Sequence, residues 1–167
     1  ITGNNFGAAL WDRSEASLRI ALIAALIYCA LVQGIVTLLP AQIASLFVVD
    51  TAVILQVARL LPIMSFAFVL MGPLMMIAAH FQAIGHAAKA AILGLSKAYC
   101  FAIPLTFILP LWFGETGVWY AGPSAEGLLC ALTGLVLWHG ATRGNLRWGL
   151  FRSHNNTQAQ TATGDAS

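Results

Sequence analysis

Formal charge is what this sequence has least of. Of its 167 residues, eight are Lys or Arg and six are Asp or Glu, so charged side chains make up 8% of the chain. A soluble domain carries about 25%. With 59% hydrophobic residues and a mean hydropathy of +0.82, that deficit excludes a water-soluble globule and predicts an integral membrane protein. Clusters of Lys and Arg that would track phosphates are missing, and a net charge of +2 is too small to imply a nucleic-acid partner. Cysteine is scarce too. Cys29, Cys100 and Cys130 each lie inside an apolar run, without the spacing of a metal site or redox pair. His80 and His86 are wrongly spaced to share a metal on a helix. No enzyme signature is present: Gly122-Pro123-Ser124-Ala125-Glu126 departs from a nucleophile elbow at its last position. The sequence therefore implies no catalytic residues, no metal and no organic cofactor. The opening Ile1-Thr2-Gly3-Asn4-Asn5 lacks the basic-then-apolar order of a secretory signal, and without an initiating Met the expectation is a fragment that begins inside a loop. No internal repeat is visible.

What the sequence has in abundance is apolar length. A helix needs roughly 20 apolar residues to cross about 30 Å of hydrocarbon, and residues 20–39, 60–80, 90–113 and 118–138 each supply a run of that kind. The fold class read from this is all-α: a polytopic bundle of four transmembrane helices, with the lipid bilayer as its surroundings. Residues 81–90, Phe81-Gln82-Ala83-Ile84-Gly85-His86-Ala87-Ala88-Lys89-Ala90, form the turn where the chain leaves the membrane and re-enters it. Residues 1–11 read as a loop because of Gly3, Asn4, Asn5 and Gly7. Asp12 and Glu15 have capping-box spacing, which predicts a helix from near Arg13. Pro40 closes the first span, and residues 41–58, interrupted by Gln42, Asp50 and Gln56, read as an interfacial turn. Pro62, Pro73 and Pro104 predict bends. Trp112, Trp119 and Tyr120 mark one end of the fourth span and Trp138 the other, as interfacial aromatics do. Residues 1–152 form the membrane unit, and the polar residues 153–167 are expected to be a disordered tail.

Charge also gives an orientation. Arg13, Arg19, Lys89, Lys97, Arg143, Arg147 and Arg152 fall on or near one side and only Arg59 near the other. The positive-inside rule then predicts that both termini are cytoplasmic; the membrane expected is a plasma membrane of the bacterial inner-membrane type.

A few polar residues stand out within the spans. Glu126 lies eight residues inward from Val118, roughly 12 Å at 1.5 Å per residue and close to mid-bilayer. An ionised acid there costs about 2.5–3.5 kcal/mol on insertion scales. Lys97 is about as deep in the preceding antiparallel span, so an ion pair within the hairpin is one reading. Glu126 as a proton carrier, or bonded to backbone or hydroxyls, are the others. Met64, Phe68, Met71 and Met75 recur at helical spacing on one face. Such polarisable side chains suit a cavity for varied apolar cations, and equally suit helix packing or lipid contact. Gln33 reads as a bond between helices rather than a substrate contact.

Two separated stretches follow the order and spacing of one family. Gly3-Asn4-Asn5-Phe6-Gly7-Ala8, then Asp12-Arg13, resembles the cytoplasmic loop of multidrug and toxic compound extrusion (MATE) transporters. Phe81-Gln82-Ala83-Ile84-Gly85, Ile103-Pro104, Leu109-Pro110, Phe113-Gly114-Glu115-Thr116-Gly117-Val118-Trp119 and Pro123-Ser124-Ala125-Glu126 resemble the family's last two-helix hairpin, and Leu46-Phe47 with Asp50 match the intervening turn. The resemblance covers nearly everything from Gly3 to about Trp138. It implies the last four helices of the carboxy-terminal lobe of a two-lobed, twelve-helix transporter, so the amino-terminal lobe would be a missing partner. It also implies antiport, with sodium ions or protons (H+ or Na+) flowing inward while small organic, often cationic, compounds leave. Members that couple sodium through this lobe carry an acid in the helix matching residues 60–80, where this sequence has Met71-Gly72-Pro73 and no carboxylate. By that comparison a proton-coupling aspartate would lie in the absent lobe. A lipid-linked oligosaccharide flippase of the same superfamily would need a more basic cavity. A non-transporting membrane scaffold subunit is the alternative from another class.

Overall fold

The computed structural model describes residues 2–8, 10–144, 146–147 and 150–152. The disorder expected for residues 153–167 lies outside the described residues. Almost all of the described chain is helical: α1 (Thr2–Gly7), α2 (Trp11–Leu38), α3 (Pro40–Ser45), α4 (Thr51–Ser65), α5 (Phe68–Ala83), α6 (Ala87–Leu95), a π-helical turn over Ser96–Ala102, α7 (Ile103–Phe113) and α8 (Glu115–Gly144). A two-residue antiparallel pairing of Leu146–Arg147 with Phe151–Arg152 follows.

Three continuous helical stretches, Asp12–Leu38, Ala87–Phe113 and Glu115–Thr142, are long and apolar enough to cross a membrane. A fourth crossing is made if α4 and α5, bent by 41° at a short break, count as one span. This is an all-α, multi-pass membrane fold. Large apolar side chains, among them Leu38, Phe66, Phe107, Leu111, Trp112 and Trp138, are exposed on the outside of the bundle.

Several boundaries differ from the sequence reading, each for a physical reason. Residues 2–7 are a short helix rather than a loop; it packs on α2 and α5, where Gly3 brings its backbone close to the Ala83 carbonyl. Helix α2 begins at Trp11 with Leu10 as its cap residue. Asp12 therefore sits in the first turn, where its charge favours the positive helix end, and is not the cap. The interval 41–58 is not one turn: Pro40 opens α3, and the Asp50 carboxylate accepts the Ala52 N–H at 2.8 Å to start α4 at Thr51. Helical structure thus begins well ahead of residue 60. Pro62 and Pro73 both lie inside helices, but the sharp bend falls between them, at Phe66 and Ala67.

Pro104 acts upstream of itself. It stands at the start of α7, and in the preceding turn the Ile103 N–H bonds the Ala98 carbonyl, five residues back. Proline has no N–H to donate and its ring crowds the carbonyl four residues before it. Widening the previous turn to π geometry accommodates both effects.

The bundle is held by α2 against α5 and α4, by α5 against α6 and α8, and by the α7–α8 hairpin. Its buried cluster is Leu74, Phe81, Ile84, Leu93 and Leu129, contributed by α5, the turn after it, α6 and α8. Phe81 is the anchor, buried to 1% exposure. The His86 ring stands edge-on to it, and Lys89 Nζ lies 5.2 Å from its centroid, a cation–π contact. The turn that looked like a simple exit from the membrane is therefore packed onto the core.

Candidate functional site

The structure brings Lys97 and Glu126 together. Lys97 sits in the π-helical turn and Glu126 midway along α8, and Lys97 Nζ lies 2.6 Å from Glu126 Oε2. The two partners differ in surroundings: the Lys97 side chain is 35% exposed and that of Glu126 7%. Such a distance marks a charge-assisted hydrogen bond. The second carboxylate oxygen, Oε1, is buried and has no hydrogen-bond partner among the described residues.

Two cavities flank this pair, and both atoms of interest belong to their walls. The larger, about 360 Å³, lies toward the 84–86 turn and is lined by Met71, Met75, Gln82, Leu93, Leu129 and Thr133 among others. The smaller, about 170 Å³, lies toward the Gly114 end and is lined by Met64, Phe68, Met71 and Pro123. Lys97 and Glu126 line both cavities. All four members of the methionine and phenylalanine stripe therefore face one cavity or the other, with Met71 shared. The wall chemistry is apolar and polarisable, with one cation and one anion at its centre. Small-molecule sites have mostly apolar walls with a few placed polar groups and volumes of roughly 300–1,000 Å³, a range that the larger cavity reaches and the smaller does not.

Gln33 is elsewhere. Its Nε2 donates to Thr37 Oγ1 at 3.1 Å and to Ser65 Oγ at 3.4 Å, tying α2 to α4. Cys29 is buried between α2 and α5, Cys100 is exposed and Cys130 half-buried, all as free thiols. Among the described residues, no group of three or more His, Cys, Asp or Glu side chains converges as a metal site would.

Sequence reasoning missed Gln82, Leu93, Leu129 and Thr133 as wall residues. The signal was the continuation of two stripes at helical spacing: Met71, Met75, Ala78 and Gln82 on α5, and Glu126, Leu129 and Thr133 on α8. Thr133 donates its hydroxyl to the Leu129 carbonyl at 2.8 Å, so its polar group is satisfied within its own helix.

A family model described as MatE matches residues 1–108, well over half of the chain. The chain belongs to the MATE family. No curated protein and no solved structure matches it. Members of the MATE family are transporters rather than enzymes, which fits a multi-pass bundle whose internal site is a cavity. The matched residues include Met64, Phe68, Met71, Met75 and Lys97. Glu126, on α8, lies beyond them, so the MATE stretch supplies the stripe and the cation while the helix after it supplies the anion.

Proposed function

We propose that this chain is part of a multidrug efflux antiporter that exports organic, often cationic, compounds in exchange for H+ or Na+ by alternating access. It would correspond to the last four helices of the carboxy-terminal lobe of a two-lobed, twelve-helix MATE transporter, with the amino-terminal lobe as its partner. One observation carries the reading: a MATE-family bundle holds a methionine-lined cavity of about 360 Å³ with a single carboxylate in its wall. Apolar, flexible walls accept many shapes, and the buried Glu126 carboxylate, whose Oε1 has no hydrogen-bond partner among the described residues, offers an acceptor to a positively charged group. Such a site discriminates by charge and hydrophobicity rather than by shape, as multidrug transport requires.

The same lining disfavours an oligosaccharide-lipid flippase. Lys97 is the single cation in either wall, and it is already paired, whereas a diphosphate-linked sugar needs several unpaired donors. A scaffold subunit would leave the two cavities beside the pair without a role.

The deciding measurement is efflux of a fluorescent lipophilic cation from liposomes containing the full-length protein, driven first by a proton gradient and then by a sodium gradient. Concentrative export under one gradient is expected. No export under either would sink the reading.

A further inference from the structure

We propose that Lys97 and Glu126 together bind the paired charges of a compact zwitterion, an ammonium and a carboxylate separated by one or two carbons, whose attached apolar group occupies an adjoining cavity. The proposal rests on the efflux reading above and names a substrate class for the same site: apolar amino acids and their close analogues.

The pair leaves hydrogen-bonding capacity unused. Glu126 is 5% exposed and holds Lys97 through Oε2, while Oε1 is buried without a hydrogen-bond partner among the described residues. A carboxylate offers about four acceptor sites and an ammonium three donors. Their single contact at 2.6 Å therefore leaves acceptors on Glu126 and donors on Lys97, side by side. The Lys97 side chain is 35% exposed, so its remaining N–H groups can be reached. The terminal torsion of a glutamate is soft, and a small turn of the carboxylate presents an unused acceptor to the cavity while the contact with Lys97 is kept.

Charge decides what fits there. Among the described residues, Lys97 and Glu126 are the ionisable side chains in the walls of both cavities, and the pair is neutral as a unit. A simple cation on Glu126 stands beside the Lys97 ammonium and leaves the apolar wall with one unbalanced positive charge. A simple anion on Lys97 leaves one negative charge. Either imbalance is costly inside a membrane. A zwitterion adds no net charge: its ammonium on Glu126 and its carboxylate on Lys97 close a ring of alternating signs. Every contact in that ring is a charge-assisted hydrogen bond, and neither protein group changes its protonation. Because the two wall charges are 2.6 Å apart, the ligand charges must be near neighbours as well. That selects an amino-acid head rather than a long molecule charged at its two ends.

The walls select the rest of the ligand. Met71, Met75, Leu93 and Leu129 line the larger cavity of about 360 Å³, and methionine sulfur makes favourable contacts with an aromatic ring. Met64, Phe68 and Met71 give the smaller cavity the same character. Whichever cavity takes the apolar group, the head meets the same pair, since Lys97 and Glu126 line both.

The test is equilibrium binding of three radiolabelled probes to the full-length protein in detergent at neutral pH. All three carry the same ring: phenylalanine has both charges, 2-phenylethylamine lacks the carboxylate and 3-phenylpropionate lacks the ammonium. The wild type is expected to bind phenylalanine at least about tenfold more tightly than either of the others, the difference being one charge-assisted hydrogen bond. Lys97→Met combined with Glu126→Met removes both charges and strands neither, and is expected to bind phenylalanine no better than the other two probes. A loss of packing alone would weaken all three alike. Lys97→Gln combined with Glu126→Gln also removes both charges while keeping hydrogen-bonding atoms, and decides the matter if the methionine pair does not fold. Wild-type preference for phenylalanine in either double variant overturns the proposal. So does a wild type that prefers 2-phenylethylamine, or that binds the three equally or not at all; the efflux reading then stands if the fluorescent cation is still exported from liposomes, and falls with the proposal if it is not.

Discussion

At the scale of single residues, the pair of Lys97 and Glu126 is a source of strain as much as of cohesion. Removing one partner strands a buried charge, at about 3–5 kcal/mol for a fully enclosed pair. Because the lysine side chain is 35% exposed, Lys97→Met is expected to destabilise by about 2–3 kcal/mol. The double variant Lys97→Met with Glu126→Met, which removes both charges and keeps side-chain volume, should recover most of that loss. Thermal unfolding in detergent checks it: a double variant no more stable than Lys97→Met would show that the charges are not coupled. A second residue-scale prediction concerns helix contact. A Cβ on Gly72 would lie 2.6 Å from Cys29 Sγ and 3.1 Å from the Ala25 carbonyl, so α2 and α5 touch where no side chain fits. Gly72→Ala is expected to cost about 1–3 kcal/mol by overpacking. Adding Cys29→Ala should return part of it, since the nearest atom is removed while the Ala25 backbone remains.

At the scale of elements, the α7–α8 hairpin depends on Gly114 and Gly117 for different reasons. Gly114 turns the chain at a φ of 61°, which L side chains rarely adopt. Gly117 lets α8 start against α7: a Cβ there would meet the Leu109 carbonyl group at 2.5 Å and Pro110 N at 2.6 Å. These are backbone atoms that cannot rotate away. Gly117→Ala should therefore destabilise more than Gly72→Ala in the same assay, with no single side-chain substitution restoring it. The four apolar runs were legible because crossing a bilayer demands about 20 apolar residues, a signal longer than any local ambiguity. Lys97 and Glu126 were legible because charges inside spans are few. The Leu93, Leu129 and Thr133 walls were not, since an apolar or hydroxyl residue in a span looks alike whether it faces lipid or cavity. Nor was the π-helical turn visible, because periodicity near 3.6 residues does not report one carbonyl bonded five residues on. The Asp12 and Glu15 spacing misled for a related reason: a carboxylate in the first turn is favourable to the helix dipole whether or not it is the cap.

At the scale of the whole molecule, the two cavities acquire a direction only when the bundle is placed in its membrane. The continuous stretch from Ala87 to Phe113 is 27 residues, about 40 Å at 1.5 Å per residue, so the 84–86 turn and the Gly114 turn must emerge on opposite faces. Lys89 lies beside the first and Glu115 beside the second. The positive-inside bias predicts that the 84–86 turn is cytoplasmic, which, on the export reading proposed above, would put the larger cavity on the side of substrate entry and the smaller on the side of release. Single cysteines can read this directly, since His86 and Thr116 are both exposed. In a background with Cys29, Cys100 and Cys130 replaced, a membrane-impermeant maleimide is expected to label Thr116→Cys in intact cells and His86→Cys only after permeabilisation. The reverse pattern would invert the bundle. On the export reading proposed above, entry would then be at the smaller cavity of about 170 Å³, below the roughly 300 Å³ of drug-sized ligand pockets, so the labelling result bears on the proposed route of transport as well as on the topology.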